Sequence, residues 1–89
     1  MHTRTWNVEI LLTEEEGTTH ARAQLQSEPT AAPLTGHGTS RVGPHDKDIP
    51  EIGDELAAAR ALSDLAGQLL GTSADDIAAA TEEDVTLLQ

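Results

Sequence analysis

The sequence has no cysteine, no phenylalanine and no tyrosine, and a single tryptophan among 89 residues. Without cysteine there is neither a disulfide framework nor a thiolate metal site, which suits a reducing compartment. Without large aromatics the core must come from Leu, Ile, Val and Ala, which bury little area per residue. A chain this short forms one domain, residues 1–89, and hides only roughly 60–65% of its unfolded surface, a thin stability margin that a partner subunit would widen. A homodimer is therefore expected. No apolar run reaches signal or transmembrane length, so no membrane association is expected and the cytoplasm is the expected location.

Positive charge is scarce as well: 5 Lys and Arg face 16 Asp and Glu, a net charge of −11. Residues 1–49 hold 4 basic and 7 acidic groups, and residues 50–89 hold 1 and 9. Such a field repels phosphate backbones at long range, so DNA is not an expected partner, and RNA binding would need a local patch that overrides the total. Much of the acidity reads as a solubilising surface.

What is present is periodic. In "RTWNVEILL" the residues Trp6, Val8, Ile10 and Leu12 alternate with Thr5, Asn7 and Glu9, the period of a strand with one buried face. "TEEEG" is a charged tip closed by Gly17, suited to the positive φ of a hairpin turn. "TTHARAQLQ" alternates again, with Ala21, Ala23 and Leu25 opposite His20, Arg22, Gln24 and Gln26. "SEPTAAP" reads as a connecting loop. In "LTGHGTSRVG", Leu34, Gly36, Gly38, Ser40 and Val42 oppose Thr35, His37, Thr39 and Arg41; a third strand fits, its glycines letting another element approach the backbone.

The stretch "DIPEIGDELAAARALSDLAGQLLG" carries a helix start near Asp48 or Ile49. Asp48 and Glu51 have capping-box spacing, Pro50 suits the first helical position, and the carboxylates of the first turns meet the positive end of the helix dipole. At 100° per residue, Ile52, Leu56, Ala59, Leu62, Ala66, Leu69 and Leu70 form a broad apolar face expected to lie on the sheet, with Arg60, Asp64 and Gln68 pointing away. Gly53, costly in a helix, implies a close contact, with the glycine-rich third strand as candidate. Gly71 is read as the stop, and Ser73 with Asp76 as the cap of a short second helix. Val85, Leu87 and Leu88 form a brief strand, a packed tail or an exchanged segment. The expected fold is α+β: a three-stranded antiparallel sheet with one face covered by a long helix, then a short C-terminal helix, in the order β-β-β-α-α.

No pattern carries catalysis. The carboxylate groups Glu14 to Glu16, Asp75 with Asp76, and Glu82 to Asp84 fall on turns and helix starts rather than in a recessed pair. "HDKD" fails as a calcium loop: counted from Asp46, position 5 is Pro50, position 6 is Glu51 and position 12 is Ala57. His2, His20, His37 and His45 lack zinc-site spacings, no serine sits in a G-x-S-x-G elbow, and "GHGTS" is not a phosphate loop. No enzyme activity, metal or cofactor is expected. Strand parity instead gathers His20, Arg22, His37 and Arg41 on the sheet face away from the helix, with Arg4 and Lys47 near its edges. A solvated face is the plain reading, and a docking surface for RNA, a ribosome or a second subunit the sharper one.

"IPEIGDELAAARALSDLAGQLL", with "TWNVEI", "TTHARAQL", "LTGHGTSRVGP" and "DDIAAAT", resembles an actinobacterial family of small proteins that includes mycobacterial dormancy-associated hypothetical proteins. The likeness covers nearly the whole chain. It implies a sheet backed by a helix, similar to a double-stranded-RNA-binding domain, a dimeric assembly, and a likeness to ribosome hibernation-promoting factors. By that resemblance the chain is a stress or dormancy accessory protein working by macromolecular contact. It brings no catalytic residues. Hibernation factors are basic, and the net charge of −11 departs from them.

Overall fold

The fold is described from a computed structural model for residues 1–26, 33–43 and 49–83, with helix side chains to position 80. Three strands, β1 (Asn7–Glu15), β2 (Thr18–Gln26) and β3 (Leu34–Arg41), precede one helix, α1 (Pro50–Glu83). The strands form an antiparallel sheet in the order β1-β2-β3. β1 and β2 meet in a two-residue turn in which Glu16 (φ 51°) and Gly17 (φ 77°) are both left-handed, the pattern of a type I′ hairpin. Both strands continue through the charged tip, Glu15 pairing Thr18. The Val42 N–H donates to the Gly17 carbonyl (3.0 Å), tying the end of β3 to the turn.

Register places Val8 opposite Leu25, Ile10 opposite Ala23 and Leu12 opposite Ala21. Ala21 and Ala23 in turn oppose Gly38 and Gly36. These residues share one face, as the alternation predicts, and α1 lies on it. The core comprises Ala21, Ala23, Leu25, Ala57, Ala61 and Leu65, with Ile10, Leu34 and Leu69 against it.

Two expectations about the helix are corrected. The order is β-β-β-α, not β-β-β-α-α, because α1 runs unbroken for 34 residues through Gly71 and Ser73. Among the described glycines only Gly17 has positive φ, so Gly71 forms no left-handed cap. A helical glycine costs only about 1 kcal/mol, and "ADDIAAATEE" has enough helix formers and no proline to break the run.

The covered side of the helix also differs. Gly53, Ala57, Ala61 and Leu65 face the sheet, whereas Ile52, Leu56, Leu62 and Leu70 remain 51%, 45%, 41% and 72% exposed. The cause is β3. A Cβ on Gly38 would stand 2.3 Å from the Ala57 carbonyl oxygen, and one on Gly36 2.3 Å from that of Ala61. The backbones are therefore in direct contact, and at that separation only alanine fits the centre of the interface. Gly53 does make a close contact, with Thr19 as well as with β3: its carbonyl accepts from the Ser40 hydroxyl (2.7 Å), and an added Cβ would lie 3.1 Å from Thr19 Oγ1.

Of the two helix registers, the structure takes the one with Pro50 in first position, the Ile49 carbonyl accepting from Ile52 N–H (3.1 Å) and Gly53 N–H (3.4 Å). Asp48, the "HDKD" turn, nearly all of the "SEPTAAP" loop and the Val85 to Leu88 tail lie outside the described residues.

Candidate interaction surfaces

The open sheet face carries the residues that parity selects. His20, Arg22, His37 and Arg41 are all exposed. Arg22 pairs His37, and His20 pairs Thr39. Across β1 the same rows continue into Leu11 and Thr13. The four side chains thus form one patch, but its charge is balanced: Glu9 and Glu15 share the face with Arg22 and Arg41. Glu15 stands in the same row as Thr18 and Arg41. Arg4 is exposed ahead of β1, and Lys47 lies outside the described residues.

The helix-side face divides sharply between its edges. On the β3 side three side chains of α1 cap the strand backbone: Arg60 donates to the Thr39 carbonyl (2.6 Å), Asp64 accepts from the His37 N–H (2.8 Å), and Gln68 donates to the Thr35 carbonyl (2.7 Å). Gln68 also donates to Asp64 (3.3 Å). Four helical residues advance ~6 Å and two strand residues ~6.6 Å, so the steps 60, 64, 68 and 39, 37, 35 stay in register along the edge. These residues, expected to point into solvent, occupy the hydrogen-bonding positions a further strand would need. Their spacing was visible in the sequence; their target was not, because it depends on how the helix lies on the sheet.

Among the described residues nothing caps the β1 side in this way. A helix ~10 Å wide roofs two strands spaced ~4.8 Å apart, and the glycines draw α1 over β3 and β2. On β1 and just before it, Val8 and Leu12 stay 44% and 39% exposed and Trp6 54%. Since Arg60, Asp64 and Gln68 lie on the β3 flank of α1, helical geometry puts Ala58, Leu62 and Ala66 on the opposite flank, overlooking β1. An apolar trough results, walled by the helix and floored by β1.

A separate cleft of about 340 Å³ at the hairpin end has Thr19, Val42, Ile49, Ile52 and Leu56 in its lining, with Glu14 and Arg41. Among the described residues no three His, Asp or Glu side chains converge to hold a metal ion, and no helix is long and apolar enough to cross a membrane.

Comparison with known proteins places this architecture. The model of the Rv2632c-like family matches residues 4–86. The chain belongs to the Rv2632c-like family. Its relatives include the uncharacterized protein Mb1767 of Mycobacterium bovis, 46% identical over 83 residues that cover 93% of this chain and 86% of the relative. The uncharacterized protein Rv2632c of Mycobacterium tuberculosis is 41% identical over 83 residues, covering 93% and 87%. The crystal structure of Rv2632c superposes with a TM-score of 0.82 at 40% identity, covering 91% of this chain and 94% of that one. The mycobacterial kinship that the resemblance implied is thereby shown, and the sheet-plus-helix fold belongs to the family.

Proposed function

We propose that this protein is a non-enzymatic interaction module that acts by macromolecular contact, its first contact being a second copy of itself through the β1 side. One observation carries the reading: burial is inverted. Four of the six core residues are alanines, while Trp6, Val8, Leu12, Leu62 and Leu70 are 39–72% exposed. Hydrophobic stabilisation scales with the area removed from water, so this chain leaves much of its driving force unused as a monomer. A homodimer recovers it. Sedimentation velocity from low to high micromolar concentration tests the reading: a concentration-dependent dimer is expected, shifted toward monomer by Leu62→Asp or Leu12→Asp. A wild-type monomer throughout would overturn it.

A second reading is favoured by the grouping of His20, Arg22, His37 and Arg41 on the opposite face, which leaves them free when the helix side is occupied. In it the dimer docks on RNA or a ribosome, the role implied by the likeness to hibernation-promoting factors and RNA-binding domains. The balancing Glu9 and Glu15 and the net charge of −11 oppose it. Binding that weakens with salt and is abolished by Arg22→Glu with Arg41→Glu supports this reading; salt-insensitive or undetectable binding removes it.

A further inference from the structure

The peptide groups of an antiparallel strand point alternately to its two sides. The two-residue turn makes Glu15 and Thr18 a hydrogen-bonded pair, so Asn7, Glu9, Leu11, Thr13 and Glu15 turn their N–H and C=O groups toward β2, and Val8, Ile10, Leu12 and Glu14 turn theirs away. The same alternation carried across β2 aims the peptide groups of Thr35, His37 and Thr39 out of the far edge, which is where Gln68, Asp64 and Arg60 meet them. β1 is the other outer strand, and among the described residues nothing bonds to its outward groups. It has no proline or lysine to discourage pairing, and its centre, Ile10 to Thr13, is uncharged.

We infer that this edge pairs with the same edge of a second copy, β1 antiparallel to β1, giving a continuous six-stranded sheet with Ile10 at the two-fold axis. The inference rests on the self-association proposed above and specifies its geometry. Antiparallel neighbours related by a two-fold axis require that axis to be normal to the sheet, so both helices lie on one face. In each copy α1 covers β2 and β3, and the two helix axes therefore stand four strand spacings, ~19 Å, apart. The two troughs join into one groove between the helices, floored by Val8, Ile10 and Leu12 from both copies.

The pattern of β1 is complementary to itself in one register. With Ile10 opposite Ile10, Val8 stands opposite Leu12 and Trp6 opposite Glu14 on the helix side, while on the open face Glu9 meets Leu11 and Asn7 meets Thr13. Apolar residues meet at the centre, and no two carboxylates are directly opposed. Charge completes the match. Arg4 precedes the strand and Glu14, Glu15 and Glu16 form its tip, so antiparallel pairing sets Arg4 of each copy opposite Glu16 of the other, one pair beyond Glu14. Centring the pairing on Glu9 would oppose Glu9 to Glu9, which is destabilising. Centring it on Leu11 would set Glu14 against Val8 and carry Arg4 past the tip. This two-ended match of basic start to acidic tip selects a second copy as the occupant of the edge.

The chain lacks cysteine, and Asn7 and Thr13 are exposed on the face away from the helix, so thiols placed there leave the core and every charge intact. Asn7→Cys and Thr13→Cys proteins are purified separately, checked for native circular dichroism, mixed and oxidised without a linker, since a disulfide needs Cα atoms within about 7 Å. The expected result is a disulfide dimer in the mixture at least tenfold above either protein alone, because identical positions then lie about 20 Å apart. Leu11→Cys, which faces itself only in the register centred on Leu11, is expected to link less than the mixture; the reverse order overturns the register. Val8→Pro removes an outward N–H but no bond within the sheet, and proline is tolerated near the start of an edge strand. It is expected to weaken dimerisation at least tenfold in sedimentation with native circular dichroism retained, and an unchanged dimer overturns the pairing. A sedimenting dimer that gives no disulfide in the mixture overturns this geometry and leaves the self-association reading standing. A monomer at all concentrations overturns both.

Discussion

The two edges of the sheet solve the same problem in opposite ways. At β3 the strand has given up side chains, Gly36 and Gly38, so that the helix backbone rests on it, and Arg60, Asp64 and Gln68 bond the exposed peptide groups. At β1 the strand keeps Val8, Ile10 and Leu12, and nothing among the described residues covers them fully. An edge that is capped is closed to further strands; an edge with an uncovered apolar floor is open to a partner. The chain therefore spends its specificity on one side and its hydrophobicity on the other.

The sharpest way to break that contrast is to restore a side chain on β3. Gly38→Ala would drive a Cβ to 2.3 Å from the Ala57 carbonyl oxygen and 2.4 Å from the Ala61 nitrogen, both backbone atoms that cannot rotate away. The helix must lift from the sheet. Denaturant unfolding should show a loss of about 3 kcal/mol or more for Gly38→Ala, and a similar loss for Gly36→Ala. An effect below about 1 kcal/mol would mean that the close helix approach does not organise the fold.

Removing a cap should cost less, because the bonds are at an exposed edge where water can replace them. Asp64→Ala leaves the His37 N–H without its 2.8 Å acceptor, and a loss of about 1 kcal/mol is expected by the same measurement. The loss should be accompanied by greater aggregation on heating, since the β3 edge then resembles an unprotected strand. Toward the C-terminal end of the helix, where glycines face open space, the sign reverses. Gly67 has nothing within 4 Å of an added Cβ, so Gly67→Ala should gain about 0.5–1 kcal/mol from helix propensity alone. Gly71→Ala, equally unobstructed, should gain less in a monomer, where the helix end frays independently of the core.

What could be read from the chain and what could not divides along the same line. Strand parity was legible because period-two alternation assigns every residue of a strand to a face once one is known, and Ala21, Ala23, Gly36 and Gly38 fell where expected. The side of the helix was not. Hydrophobic periodicity favours the stripe with the largest residues, Ile52, Leu56, Leu62 and Leu70, but the glycines opposite select the smallest, Ala57 and Ala61. The glycines themselves were the available signal: they announced close approach, and close approach excludes leucine. The helix end was misjudged at Gly71 because a glycine stops a helix only where the chain adopts a left-handed conformation there. The edge caps depend on tertiary register and had no local signature. As for the candidate site, the grouping of His20, Arg22, His37 and Arg41 follows from parity alone, whereas the β1 trough follows from where the helix settles.

A comparably small effect is expected at the hairpin turn, which sets where β1 stands relative to its covered neighbours. Glu16 occupies the first left-handed position of the type I′ turn with φ of 51°, a conformation that costs an ordinary L-residue about 1 kcal/mol and that asparagine tolerates. Glu16→Asn should therefore raise stability by about 0.5–1 kcal/mol. It also removes one charge from the run Glu14, Glu15, Glu16, and that alone would help by relieving repulsion. Glu16→Gln separates the two causes, since it removes the same charge but keeps a side chain unsuited to the left-handed region. If the gain is conformational, the thermal midpoint rises for Asn and stays near wild type for Gln. If both rise equally and the gain vanishes in high salt, the turn is limited by charge rather than backbone, and the β1 strand is held in register by its pairing with β2 alone.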